Sequence, residues 1–217
     1  LKKKRINELR KGLDLNKEIS NLSFKKSKKI IFTNEHHTLS DCNVFIITVP
    51  TPINKKNKPN LKSVLNASNI VGKYLKDQDI VIYESTVFPG TVEEYCVPIL
   101  KQQSKLNFLN KNTKKNYKGF YCGYSPERIN PGDKKHTLKT IRKVVSGSNK
   151  YSTTIINSLY KSIIPAGTFI AKNIQVAEAA KVIENTQRDL NIAFFNELAL
   201  IFKKLKIDSD AVFKAAA

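Results

Sequence analysis

The stretch Ile80-Val81-Ile82-Tyr83-Glu84-Ser85-Thr86-Val87-Phe88-Pro89-Gly90-Thr91-Val92-Glu93-Glu94 carries the reading that decides the fold. Four apolar residues without polar alternation suit a strand covered on both faces. A polar turn holding Pro89 and Gly90 follows, and Thr91 and Glu94 then stand at the spacing of a helix capping box. Pro98 is expected to kink or shorten that helix.

Working outward, the runs Ile30-Ile31-Phe32, Val44 to Val49, Phe120 to Tyr124 and Val144-Val145 read as further strands. Leu61 to Leu75 follows Asn60, a good N-cap, and Tyr151 to Lys161 has the same helical pattern. Strands that alternate with helices predict an α/β fold with a doubly wound parallel sheet. Lys55 to Pro59 reads as a polar turn, and Asn110 to Lys118 as a Lys/Asn-rich loop. The stretch from Asn173 to Leu205 contains neither Gly nor Pro, which predicts a helix of roughly 50 Å. A helix that long packs beyond its own domain, so a domain or subunit boundary is expected at 172/173. Asp208 is expected to begin another short helix.

Composition narrows the function. The net charge of +20 invites a nucleic-acid reading, but only five of the 38 basic residues are Arg, and the lysines are scattered. Groove readers depend on Arg for bidentate base contacts, so a solvated lysine-rich surface is the better account. No nucleic-acid partner is expected, and no apolar run approaches the ~18 residues of a membrane span. Cys42, Cys96 and Cys122 are odd in number and far apart, which argues against a disulfide framework and for the cytoplasm. His36, His37 and His136 have no ligand spacing, and no metal site is expected. The chain starts Leu1-Lys2-Lys3-Lys4-Arg5 without Met, so its N-terminus is not expected to be the natural one.

Three polar motifs fall at the carboxyl ends of predicted strands: Pro50-Thr51-Pro52, Glu84 to Gly90, and Ser125-Pro126-Glu127-Arg128. In an open parallel sheet ligands bind at that edge. Each motif alone reads better as a simple turn after a strand; three together on one edge reverse that and point to a site. On the long helix, Lys181, Asn185 and Arg188 share a face with Glu178, beside Val176, Ala179, Ala180, Val182 and Ile183. A Lys and an Asn rising from a buried apolar stretch suit oxyanion stabilisation, and an exposed polar stripe fits the spacing equally well.

Four segments break the tie. Val49-Pro50-Thr51-Pro52, Glu84 to Thr91, Gly123-Tyr124-Ser125-Pro126-Glu127-Arg128-Ile129-Asn130-Pro131-Gly132-Asp133, and Ala177 to Asp189 closely resemble, in order and spacing, the UDP-glucose/GDP-mannose dehydrogenase family. The Pro-Glu-Arg-Ile-Asn-Pro-Gly-Asp and Asn-Thr-Gln-Arg-Asp versions look most like its UDP-N-acetylhexosamine 6-dehydrogenases of capsule and O-antigen pathways.

The resemblance implies a Rossmann-like sheet, truncated at its first β-α-β unit, over residues 1–172. Residues 173–217 would begin a central helical domain that forms a homodimer through the long helix. It implies NAD as cofactor and a UDP-sugar substrate oxidised twice at C6, with a Cys thiolate capturing the aldehyde. Thr86, Glu127, Lys181 and Asn185 are the implied catalytic residues. Arg5, Thr51, Ser85 and Thr86 would face NAD. Glu127, Arg128, Ile129, Asn130, Lys181, Asn185 and Arg188 would contact the substrate. The family's glycine-rich phosphate loop, catalytic Cys segment and C-terminal nucleotide-sugar domain have no counterpart in these residues, and Cys42, Cys96 and Cys122 do not match that Cys. The resemblance therefore implies an internal piece, inactive by itself. The competing readings are another NAD(P)-dependent dehydrogenase of related two-domain plan, which needs no Ser-Pro-Glu-Arg segment, and a basic nucleic-acid-binding module, which requires salt-sensitive binding.

Overall fold

The computed structural model describes residues 3–15, 29–113, 117–129 and 140–216. The chain divides into two compact units, Leu1–Asn43 and Val44–Ala217. In the first, helix α1 (Lys3–Arg10) buries Ile6, and Arg5 pairs with Asp14 at 2.6 Å. Ile30-Ile31-Phe32, expected as a strand, is not one. Ile30 and Ile31 are exposed, and Arg10 Nε donates to the Phe32 carbonyl at 2.8 Å. Three apolar residues form no ladder without a partner strand.

The second unit holds a six-stranded sheet of order β1-β2-β4-β5-β6, with β3 beside the start of β4. The strands are β1 (Val44–Ile47), β2 (Ile80–Tyr83), β3 (Asn107–Phe108), β4 (Gly119–Tyr124), β5 (Lys143–Gly147) and β6 (Thr168–Ile170). The helices are α2 (Lys62–Gly72), α3 (Val97–Ser104), α4 (Lys150–Lys161), α5 (Ile174–Leu205) and α6 (Ser209–Ala216). All pairs are parallel except β4 with β5, where Gly123 faces Gly147 and Tyr124 faces Ser146 across an antiparallel ladder.

Strand alternation divides the core between two faces. Ile80, Ile82, Tyr121 and Val145 pack against Ile156 and Tyr160 of α4. On the other face the Tyr83 hydroxyl lies 2.7 Å from Ser68 Oγ of α2. Gly123 permits the first contact: a Cβ there would collide with Ile156 Cδ1 and lie 2.6 Å from the Ser146 carbonyl. At the sheet edge β1 is covered on one side only. Phe45 and Ile47 are buried while Val44 and Ile46 are exposed, against the expectation of cover on both faces.

The capping box expected at Thr91 to Glu94 does not form. These residues make a π-helical turn, Thr91–Cys96, that runs into α3 with Pro98 in its first helical turn. A wide turn suits a residue that has no N–H to return to the preceding carbonyls. Leu61, not Asn60, is the N-cap of α2, and Asn60 stands one residue before it with its side chain accepting the Lys62 N–H at 3.0 Å. Asn173 caps the 32-residue α5, its side chain accepting the Val176 N–H at 2.8 Å. Asp208 opens α6 by accepting the Asp210 N–H at 2.9 Å, and Phe213 of α6 meets Phe195 of α5 edge to face at 5.1 Å. No helix among the described residues is long and apolar enough to cross a membrane.

Candidate functional site

The carboxyl ends of β1, β2 and β4 lie side by side, so the three polar motifs share one edge. Backbone bonds hold them there: the Glu84 N–H donates to the Ile47 carbonyl and the Ser125 N–H to Tyr83, each at 2.9 Å. The Thr51 hydroxyl donates to the Thr86 carbonyl at 2.5 Å, joining the first two turns, and the Thr86 side chain stands exposed beside it. Ser85 is buried, and its hydroxyl donates to the Val49 carbonyl at 2.7 Å, so this side chain ties the turns together.

The third turn is wound around Glu127. Its Oε1 accepts the N–H groups of Arg128 at 2.7 Å and Ile129 at 2.8 Å. Asn130 lies outside the described residues. Arg128 reaches α5, with Nε 3.1 Å from Glu184 Oε1, and Glu184 Oε2 is 3.8 Å from the Lys181 ammonium. Lys181 is buried, and desolvation foremost lowers its pKa, with Glu184 opposing. Arg188 donates to Asn185 Oδ1 at 2.6 Å, so these two are joined one helical turn further on.

Glu178 has a different task. Fully buried, it accepts the N–H groups of Gly90 at 2.6 Å and Val92 at 3.0 Å. A carboxylate at that point satisfies orphan donors and opposes the positive end of the helical turn. Gly90 has φ of +92°, a conformation that favours glycine. The apolar neighbours of Lys181 point the other way from what the sequence suggested. Val176 and Ile183 are exposed, whereas Glu178 and Lys181 are buried on the same face as Ile174 and Ala177.

Sequence reading missed three groups at the edge: Lys143, Tyr160 and the Glu84 side chain. Lys143 Nζ lies 3.3 Å from Glu84 Oε2 and 4.0 Å from Glu127 Oε2, and Tyr160 donates its hydroxyl to Glu84 Oε1. A parallel β5 would have carried Lys143 to the opposite edge; the antiparallel pairing brings its first residue here. Burial raises the thiols of Cys96, to about 11, and of Cys122, so neither is poised as a nucleophile. Arg5 belongs to the first unit, where Nη2 pairs with Asp14 at 2.6 Å and the buried Nη1 lies 4.0 Å from Glu8 Oε2.

Residues 2–164 match the model of the UDP-glucose/GDP-mannose dehydrogenase family, NAD binding domain, and residues 175–217 match that family's central domain. Over 214 residues the chain is 53% identical to the UDP-N-acetyl-D-glucosamine 6-dehydrogenase of Salmonella typhi, covering 99% of this chain and 48% of that one. It is 50% identical over 212 residues to Protein CapL of Staphylococcus aureus, covering 98% of this chain and 48% of that one. The solved structure of UDP-D-ManNAc dehydrogenase from Pyrococcus horikoshii superposes with a TM-score of 0.84 at 26% identity, over 99% of this chain and 50% of that one. The chain spans about half the length of the curated relatives it matches.

Proposed function

The chain belongs to the UDP-glucose/GDP-mannose dehydrogenase family, and from that premise we propose that the protein carrying it oxidises C6 of a UDP-N-acetylhexosamine to the uronate, with NAD, for surface polysaccharide synthesis. The observation that carries this reading is the Arg128–Glu184–Lys181 chain of ion pairs, which draws the Glu127 turn and the buried ammonium to one edge. The 53% identity to a UDP-N-acetyl-D-glucosamine 6-dehydrogenase supports the substrate class.

NAD, when bound, supplies the hydride acceptor. Its fit rests on the exposed Thr86 side chain and the half-buried Thr51 at the carboxyl edge of the sheet. Ser85 fixes the Thr51–Thr86 ledge through its bond to Val49. Lys181 stabilises negative charge that develops on the C6 oxygen, and its burial strengthens that interaction. Asn185, held by Arg188, supports the same oxygen. Glu127, with Thr86, positions a water and moves its proton, while Arg128, Ile129, Asn130 and Arg188 contact the sugar nucleotide. The NAD-binding domain covers residues 1–172, and residues 173–217 begin the central domain.

A second copy of the chain covers the apolar face of α5, where Ile183, Leu190 and Phe194 are exposed. The three cysteines are free thiols, in keeping with the cytoplasm, where activated sugars are made. The test is reduction of NAD by the protein carrying this chain, offered a panel of UDP-sugars. Turnover is expected with UDP-N-acetylhexosamines ahead of UDP-glucose. No turnover with any UDP-sugar overturns the reading.

A further inference from the structure

Lys143 opens β5 with its side chain only 5% exposed. Burying an ammonium costs several kcal/mol unless it is well paired, and an apolar replacement of a buried pair is often as stable. A charge retained here calls for a use. Among the described residues it faces three groups: Glu84 after β2 at 3.3 Å, Glu127 after β4 at 4.0 Å, and the Tyr160 ring of α4, whose centroid is 5.3 Å away. Tyr160 donates to the other oxygen of Glu84, so the Glu84–Lys143 pair is itself held from the core.

Glu127 is different in kind, with its side chain 46% exposed. Two backbone N–H groups fix Oε1, which leaves Oε2 as the oxygen that faces Lys143. The start of β5 is also clasped to this turn, through Ser125 Oγ donating to the Val144 carbonyl at 2.8 Å and Arg128 Nη1 donating to Arg142 at 3.5 Å. We propose that Lys143 is a positioning residue for Glu127: a buried cation, anchored by Glu84 and Tyr160, that holds the second carboxylate oxygen in its working orientation at the sheet edge. This rests on the catalytic reading of Glu127 under Proposed function. Lys143 touches no reacting atom; its effect passes through the carboxylate it faces.

The test uses the protein carrying this chain, with its UDP-sugar and NAD. Lys143→Met alone leaves the Glu84 carboxylate buried without its cation, so the Lys143→Met/Glu84→Gln double variant, which neutralises the pair together, is measured beside it. The double variant is expected to keep a cooperative unfolding transition and to lose about 10- to 100-fold in kcat, with a smaller change in KM, because misplacing a reacting group costs that order of rate. Lys143→Arg, which keeps the charge, is expected to recover at least part of that loss. Glu127→Gln separates the two claims. If Glu127→Gln is inactive while the folded double variant turns over within threefold of the parent, Lys143 is structural and the inference fails. If Glu127→Gln remains active, the catalytic reading of Glu127 fails first.

Discussion

Glu178 and Gly90, 88 residues apart in sequence, are joined by a 2.6 Å bond from the Gly90 N–H to the buried carboxylate. With the 3.0 Å bond from Val92, this is the attachment of α5 to the turn that leaves β2. Burial pushes the Glu178 carboxyl up from 4.5 to about 7, against the lowering effect of the two N–H groups, and Glu93 and Glu94 add to the rise.

A folded value above the unfolded one fixes the sign of the pH dependence. The contribution of Glu178 is fully present below about 4.5 and is lost as pH rises through about 7. Unfolding midpoints measured from pH 4.5 to 8 should therefore fall more steeply in the parent than in Glu178→Gln. The Gln variant should also be less stable at the acidic end by about 1–3 kcal/mol, because its amide leaves one of the two buried N–H groups without an acceptor. Parallel curves would show that Glu178 does not titrate in this window.

Gly123→Ala tests the packing of α4 on the sheet. The added methyl meets Ile156 Cδ1 and would lie 2.6 Å from the Ser146 carbonyl, which belongs to the β4–β5 ladder and cannot swing aside. Overpacking of this kind costs about 1–3 kcal/mol or more. The denaturant midpoint should fall accordingly, and an unchanged midpoint would mean that β5 shifts without penalty.

Ser85→Ala separates scaffolding from cofactor contact. Its hydroxyl is committed to the Val49 carbonyl at 2.7 Å in a buried setting, so removal should cost about 1–2 kcal/mol of stability. NAD affinity of the folded variant, by calorimetric titration of the protein carrying this chain, should change less than threefold. A tenfold loss of affinity without loss of stability would assign Ser85 to the cofactor.

Lys181→Ala should lower kcat by about 10²–10³ while the unfolding midpoint changes little, if its ammonium stabilises charge on the C6 oxygen. Burial lowers the Lys181 pKa, so the protonated form is lost as pH rises through a value below the ordinary lysine range. The alkaline limb of kcat should fall in that region and move upward in Lys181→Arg. Turnover within threefold of the parent in a folded Lys181→Ala would remove this residue from the mechanism.

Local chemistry was enough to place much of this molecule. The apolar run Ile80–Tyr83 is a strand because its residues suit burial on both faces. Asn60, Asn173 and Asp208 sit at helix starts because short polar side chains satisfy the first N–H groups there. The turns after β1, β2 and β4 share an edge because consecutive parallel strands end on the same side. Other features depend on partners distant in the chain. The box expected at Thr91 to Glu94 does not form: the Thr91 and Glu94 N–H groups donate to the Phe88 and Gly90 carbonyls, and a buried carboxylate from α5, Glu178, takes the N–H groups of Gly90 and Val92. Ile30 to Phe32 stayed outside any strand, since apolar content alone provides no ladder. The direction of β5 decided which edge receives Lys143, and no local pattern in Lys143–Gly147 encodes that choice. Helical periodicity put Lys181, Asn185 and Arg188 on one face of α5; only packing against the sheet determined that Glu178 and Lys181 turn inward with Ile174 and Ala177 while Val176 and Ile183 stay exposed.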